Sequence, residues 1–323
     1  MSDSRWTPAD IPDLHGTSAV VTGANSGLGL HTTIGLARAG AQVVMGCRDS
    51  ARGEAARAEV RAAVPDADVV LLPLDLADLA SVRSFAATVP DAVDSTALDL
   101  LVNNAGVMAI PQRRTADGFE MQLGTNHLGH FALTGLLLGA LLKGSVAGGP
   151  PRVVTVSSGM HRTGSLHRDD LMLESGYRPW AAYGQSKLAN LLFARELQRR
   201  VDAAGLTLLS LAAHPGYAAT NLQGVAPSMT GSRLSAAVMR LGNAVVAQSA
   251  EKGAWPSLRA ATDPGVRGGD YYGPGGLGEQ RGKPKRVGRS AAARNDADAA
   301  WLWTESARLT GVTYPELERS RSA

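Results

Sequence analysis

The sequence has almost no cysteine: Cys47 is the one thiol in 323 residues. That excludes any intrachain disulfide, and no Cys/His spacing of zinc-site type occurs, so the expectation is no bound metal and a reducing, cytoplasmic setting. Excess charge of one sign is also missing. Lys+Arg minus Asp+Glu is 32 − 29 = +3, too balanced for a protein that neutralises a run of phosphates, so no nucleic-acid partner is expected. The densest basic run, RGKPKRVGR from Arg281 to Arg289, reads as a solvated loop. Long hydrophobic runs are absent too. ALTGLLLGALL at 132–142 is too short to span a membrane, and MSDSRWTPADIPDL at the N-terminus has no apolar core of signal type; the expectation is a soluble chain with no membrane span.

What the chain does have is apolar residues, at 44%, and 37 glycines against only 5% aromatics, a balance that reads as globular, helix-rich and full of tight turns. Short β-rich runs recur at 18–22, 41–46, 68–72, 98–102, 152–156 and 206–211, separated by longer Ala/Leu/Arg-rich segments. Continuously apolar strands alternating with amphipathic helices predict an α/β fold: a doubly wound parallel sheet of about seven strands with helices on both faces, in a single domain. No Pro/Gly linker divides the first 270 residues. A final helix is expected over Asp296 to Leu309, docked on the body through Trp301 and Trp303.

The first strand runs into AVVTGANSGLGLHTTIGLARAG, which sets Gly23, Gly27 and Gly29, with Asn25, Ser26 and Leu28, between a strand and a helix. Glycines let the backbone turn sharply and approach a pyrophosphate, and the helix N-terminus supplies free N–H groups and the positive end of a dipole. The spacing G-x-x-x-G-x-G departs from G-x-G-x-x-G, but the strand before and the helix after favour a dinucleotide site. At the end of the second strand, where an acid would hold the adenosine ribose of NAD, the chain reads MGCRDS. Arg48 offers a charged, forked donor to a 2′-phosphate, so NADP is the expected cofactor, with Arg52 one turn on. Asp49 is the competing acid, and a surface role for Arg48 is the plainer alternative.

Later, AAYGQSKLAN places Tyr183 four residues before Lys187, on one side of a helix, where an ammonium favours an ionised phenol. The pair alone fits an ordinary helix face equally well. In order along the chain, TGANSGLG, Asp75-Leu76, NNAG at 103–106, Asn126, VSS at 156–158, YGQSK at 183–187 and HPGYAAT at 214–220 resemble the short-chain dehydrogenase/reductase family over roughly residues 16–275. CRDSARGEA, TNHLGHFALT, SKLANLLFARELQRR and AARNDADAAWLWTESARLTG resemble its retinol dehydrogenase and WW-domain oxidoreductase-like branch.

The resemblance implies a Rossmann-type, NADP-binding domain over 16–275, with an N-terminal extension at 1–15, a substrate lid about 217–250 and a C-terminal extension at 276–323 packed on the same domain. It implies Tyr183 as acid in reduction and base in oxidation, and Lys187 holding the nicotinamide ribose and lowering the phenol's pKa. Ser158, chosen over Ser157, would bind the substrate oxygen, and Asn126 would anchor a relay water. Asp75, Leu76, Asn103, Ala105, Gly106, Pro215, Gly216 and Thr220 fall to cofactor binding, together with Tyr183 and Lys187. The Ser158–Tyr183 separation, 183 − 158 = 25, is about twice that of many members, and the inserted loop it marks suits the retinol dehydrogenase branch.

His214 reads as a structural histidine, and His127 and His130, at i,i+3, as packing or capping residues rather than metal ligands. Met229, Leu234, Val238 and Met239 fall in the expected lid, though core packing explains them as well. The leading expectation is an enzyme that interconverts a ketone or aldehyde and an alcohol on a mainly apolar small-molecule substrate. Reduction of a C=C bond, as in the similar protochlorophyllide reductases, and a non-catalytic NADP-binding scaffold or sensor are the alternatives. Family resemblance implies a homodimer or homotetramer, which the long insertion would oppose.

Overall fold

The computed structural model describes residues 6–93, 95–216 and 248–318. Within them the apolar runs form β1 (Ser18–Thr22), β2 (Gln42–Cys47), β3 (Val69–Pro73), β4 (Leu100–Asn103), β5 (Arg152–Val156) and β6 (Leu209–Ala213), followed by β7 (Tyr271–Pro274) and β8 (Pro284–Arg286). One eight-stranded sheet results, in the order β3-β2-β1-β4-β5-β6-β7-β8. Strands β1 to β7 are parallel, and β8 closes the edge antiparallel to β7. The doubly wound α/β expectation holds, with one correction. Part of the basic run read as a loop is β8, where Pro284 pairs with Pro274; at a sheet edge a proline's missing N–H is tolerated.

Successive strand residues alternate between two apolar layers, which is why the runs are continuously hydrophobic. Val21, Val43 and Met45 pack with Leu36 of α1 (Gly27–Arg38) and with Leu258 on one face. Val20, Val44 and Val153 pack on the other with Phe85 of α3 (Leu79–Ala92), Phe131 of α5 (Gly129–Leu141) and Phe193 of α6 (Pro179–Ala203). Helix starts follow local chemistry. Asp49 caps α2 (Ser50–Ala63) by accepting the Arg52 N–H at 3.0 Å, and Pro179 opens α6, where its missing N–H is harmless. Just before α5, Gly124–Leu128 is wound as a π-helix after the short α4 (Met121–Leu123), an insertion of the type common at functional sites.

The chain order reverses between β1 and β4, and the crevice at their carboxyl ends is where this architecture places ligands. Helix α5 is apolar on nearly every side, so its outward face also needs cover. The C-terminal residues provide it. A Cβ on Gly135 would come within 2.7 Å of Val312, Tyr314 donates its hydroxyl to Phe131 O at 2.7 Å, and Trp303 stacks on Phe193 at 5.9 Å. Trp303 lies on the helix Asp296–Thr310, one residue longer than expected, which Asn295 caps at the N-terminus and Gly311 ends at φ 63°. Among the described residues no helix is long and apolar enough to cross a membrane. The expected lid, with Met229, Leu234, Val238 and Met239, lies outside the described residues apart from its last three positions, 248–250, and Thr220 lies outside them too.

Trp303→Ala should cost about 3–5 kcal/mol of unfolding free energy, as for other large aromatic truncations. A lower midpoint in urea unfolding followed by circular dichroism checks it.

Candidate active site

A cavity of about 480 Å³ opens at the carboxyl ends of the strands. Its floor on one side is the turn after β1. Gly23 has φ 65°, and a Cβ there would press to 2.9 Å from Ala105 Cβ; at Gly29 it would fall 2.2 Å from Gly23 O. Only glycine lets β1, α1 and the turn after β4 close up this tightly. Ser26, the residue before α1, makes no capping hydrogen bond, and no acid stands in the first turn. The N–H groups at that terminus, beside Asn25, Ser26, Gly27 and Leu28 in the wall, suit an anion. The Cys47 thiol is buried behind the turn and pushed up to about 11 by desolvation, which hydrogen bonds from the Ala24 and Asn25 backbone partly offset; it stays neutral.

Arg48, Asp49 and Arg52 form the rim at the end of β2, and Asp75 and Leu76 line the wall beyond β3. Asp49 is committed to the α2 cap. Among the described residues, no ion pair engages Arg48 or Arg52. From the opposite side Ala105, Gly106, Pro215 and Gly216 also line the cavity. Asn103 does not. Side-chain alternation at the end of β4 turns it into the core, where it donates to Thr134 Oγ1 at 3.0 Å. Its neighbour Asn104 takes the cavity side and donates to Thr22 O at 2.8 Å.

The other end of the cavity lies between β5 and α6. Ser157 and Ser158 both reach its wall, but they differ in what their hydroxyls do. Ser157 is buried and donates to the main-chain O of Lys187 at 2.8 Å. Ser158 accepts the Met160 N–H at 3.2 Å and is hydrogen-bonded to Tyr183. The lowering of the phenol by Lys187 that the resemblance implies is not what the structure gives: burial pushes Tyr183 up to about 12, with the Ser158 hydrogen bond pulling the other way. One turn on, Lys187 donates from Nζ to Val156 O at 3.1 Å and sits 5.7 Å from the centre of the Tyr183 ring. Burial lowers its ammonium to about 8.

Asn126, inside the π-helix, stands one layer behind the wall. Its Nδ2 donates to Val107 O and Ser186 Oγ, both at 2.9 Å, and its Oδ1 accepts the Val107 N–H at 2.8 Å. The side chain thus ties the strand end to the residue before Lys187. His127 and His130 are buried on the same segment, pushed down to about 3 and about 4 mainly by desolvation. His214 sits under Pro215, its Nε2 3.1 Å from Glu279 and its Nδ1 accepting the Gly216 N–H at 3.2 Å.

Sequence reasoning missed the apolar wall. Val107, Met108, Met160 and Trp180 line the cavity around Tyr183 and Ser158, and the charged lining residues other than Lys187 lie toward the glycine turn. Trp180 is 50% exposed, its ring edge-on to Tyr183 at 6.2 Å. Its place three residues before Tyr183 on α6 was a readable signal. Met160 has none in sequence, because it arrives with the inserted loop, which Arg162 pins to Glu279 and Arg168 to Asp298.

Comparison with known proteins agrees with this geometry. The short chain dehydrogenase family pattern matches residues 17–230. Mouse retinol dehydrogenase 14 is 40% identical over 311 residues, covering 93% of this chain and 87% of the relative; mouse polyprenol dehydrogenase is 42% identical over 309, covering 95% and 88%. A crystal structure of an uncharacterized protein from Mycobacterium paratuberculosis is 43% identical and superposes with a TM-score of 0.77, covering 96% of this chain and 99% of that one. The chain belongs to the short-chain dehydrogenase/reductase family, in its retinol dehydrogenase-like branch, and is an NAD(P)-dependent oxidoreductase.

Proposed function

We propose that the chain is an NADP(H)-dependent oxidoreductase that interconverts a ketone or aldehyde and an alcohol on a mainly apolar substrate, with Tyr183 as acid and base. The observation that carries this reading is the division of one cavity: a glycine turn and two arginines at one end, and at the other two hydrogen-bonded hydroxyls framed by Val107, Met108, Met160 and Trp180. The names of the relatives, retinol and polyprenol dehydrogenases, point to alcohols on apolar chains.

The residues fit the dinucleotide. The close-packed turn at Gly23 and Gly29 and the α1 N-terminus would hold the pyrophosphate, Asp75 and Leu76 would meet the adenine, and Arg48 with Arg52 would take the 2′-phosphate. With Asp49 held in its cap, the nearest carboxylate is turned to the helix. A bound nicotinamide supplies or accepts the hydride at the substrate carbon. The chain's own residues do the rest. Ser158 donates to the substrate oxygen as negative charge grows there, and Tyr183 passes its phenolic proton to that oxygen. The Lys187 ammonium, fixed by Val156 O, steadies the phenolate left behind. Because burial keeps the phenol protonated to about 12, the proton donor for reduction is present throughout the neutral range. The Ser157 hydroxyl, tied to Lys187 O, holds the helix in place instead of touching substrate.

Tyr183→Phe should lower turnover of apolar aldehydes and ketones by roughly 10²- to 10⁴-fold while leaving NADPH affinity within a few-fold, measured by steady-state kinetics beside fluorescence titration. Arg48→Asp should weaken NADPH by about 10- to 100-fold and NADH far less; an unchanged preference removes Arg48 from the phosphate site. Lys187 has its pKa lowered, so its charge is complete below about 8 and is lost as pH rises through it. The reduction kcat should therefore fall across that range, and Lys187→Met should give a low, flat profile between pH 6 and 10.

A further inference from the structure

His130 lies in the first turn of α5, fully buried, outside the proton path just described. Its ring is held at both ends. Nδ1 is 3.0 Å from the main-chain O of Asn126, and Nε2 is 2.8 Å from Thr22 Oγ1. A carbonyl oxygen only accepts, so Nδ1 carries the proton. Thr22 Oγ1 already accepts two N–H groups, from Asn104 and Ala105, each at 2.9 Å. With both lone pairs engaged, the hydroxyl has only its hydrogen to give, and His130 Nε2 is its near acceptor; Val102 O stands at 3.5 Å. Both ends therefore specify one species, the neutral imidazole with its hydrogen on Nδ1. Desolvation pushes the ring down to about 4, against the Asn126 hydrogen bond and with the Lys187 charge, in the same sense.

The two ends belong to different halves of the site. Asn104 and Ala105 form the cavity ledge against the glycine turn, where Gly23 leaves no room for a Cβ. Asn126 is the π-helix residue that engages Val107 and Ser186 beside Lys187. The halves meet at Gly106, where a Cβ would lie 2.9 Å from Asn126 Oδ1 and 3.5 Å from Lys187 Nζ.

We propose that His130 is a positioning residue: a neutral bridge that locks the dinucleotide ledge at Asn104–Ala105 to the π-helix turn that seats Asn126 beside Lys187. The inference rests on the reading of the cavity as a dinucleotide and proton-transfer site. A second positive charge next to Lys187 is avoided by the same hydrogen bonds that set the geometry.

The test pairs imidazole ¹⁵N NMR of the full chain with three variants. The His130 ring of the unsubstituted protein should show a protonated Nδ1 and a bare Nε2 from pH 5.5 to 8. His130→Phe keeps the ring but removes both contacts, and should weaken NADPH and lower kcat by about tenfold each. His130→Gln, whose oxygen can accept from Thr22 near the Nε2 position, should recover NADPH affinity more than kcat. His130→Asn, whose amide can donate to Asn126 O near the Nδ1 position, should recover kcat more than affinity. A hydrogen on Nε2, a cationic ring in that pH range, or affinity and kcat moving in one proportion in all three variants would overturn the bridge. An unsubstituted protein that binds no NADPH overturns the functional reading instead, and the NMR signature then decides the bridge alone.

Discussion

A buried ammonium sets the terms for the rest of the site. Lys187 is 4% exposed, and a charge so placed is costly unless hydrogen bonds replace its water. Val156 O, at the end of β5, receives both Lys187 Nζ at 3.1 Å and Asn190 Nδ2 at 3.0 Å. That carbonyl fixes α6 against the sheet in one register, and with it Tyr183 one turn earlier, beside Ser158. The surrounding groups respect the charge: His127 and His130, both buried, are held neutral, so among the described residues Lys187 is the positive centre of this end of the cavity.

Much of this was legible in the sequence, for physical reasons that differ by element. The six apolar runs could be read because strands buried on both faces are mostly apolar, with polar residues only where a partner meets them, as Asn103 meets Thr134. The β7–β8 hairpin could not, because four and three residues rich in Tyr, Gly, Pro, Lys and Arg carry no periodicity. The glycine turn announced itself through its strand and helix. Which of two adjacent asparagines faces the cavity depends on where β4 ends, a matter of one residue, and Asn103 was chosen where Asn104 stands. Tyr183, Lys187 and Ser158 were expected from the ordered motifs that resemble the short-chain dehydrogenase/reductase family, since the Tyr/Lys spacing alone fits any helix face, and all three line one cavity. His130 read as packing, since its meaning comes from Thr22, 108 positions away.

The parts that lie outside a short sequence window are the ones that shape the cavity. The inserted loop brings Met160 to the wall and is fastened through Arg162 to Glu279 and through Tyr177, whose hydroxyl donates to Ile110 O at 2.9 Å. Tyr177 also receives the Gln122 amide at 2.8 Å, and Gln122 in turn donates to Pro179 O at 2.9 Å, so the loop anchors the start of the helix that carries Trp180 and Tyr183. On the far side, Trp303 and Tyr314 cover α5 and α6 from behind. A rigid α6, clamped at its start, at Lys187 and along its back, is what the proposed proton transfer at Tyr183 requires.

The central claim is that Tyr183 delivers a proton to a carbonyl oxygen while the carbonyl carbon is reduced. The most direct measurement is transfer of label from NADPH deuterated at C4 to an unsaturated apolar aldehyde, with the product examined by mass spectrometry and NMR. The prediction is a primary alcohol carrying deuterium at the former carbonyl carbon, its C=C bonds intact, and its near-complete loss in Tyr183→Phe at equal NADPH occupancy. Deuterium on a former C=C carbon with the aldehyde retained, or equal label transfer by Tyr183→Phe, would contradict it.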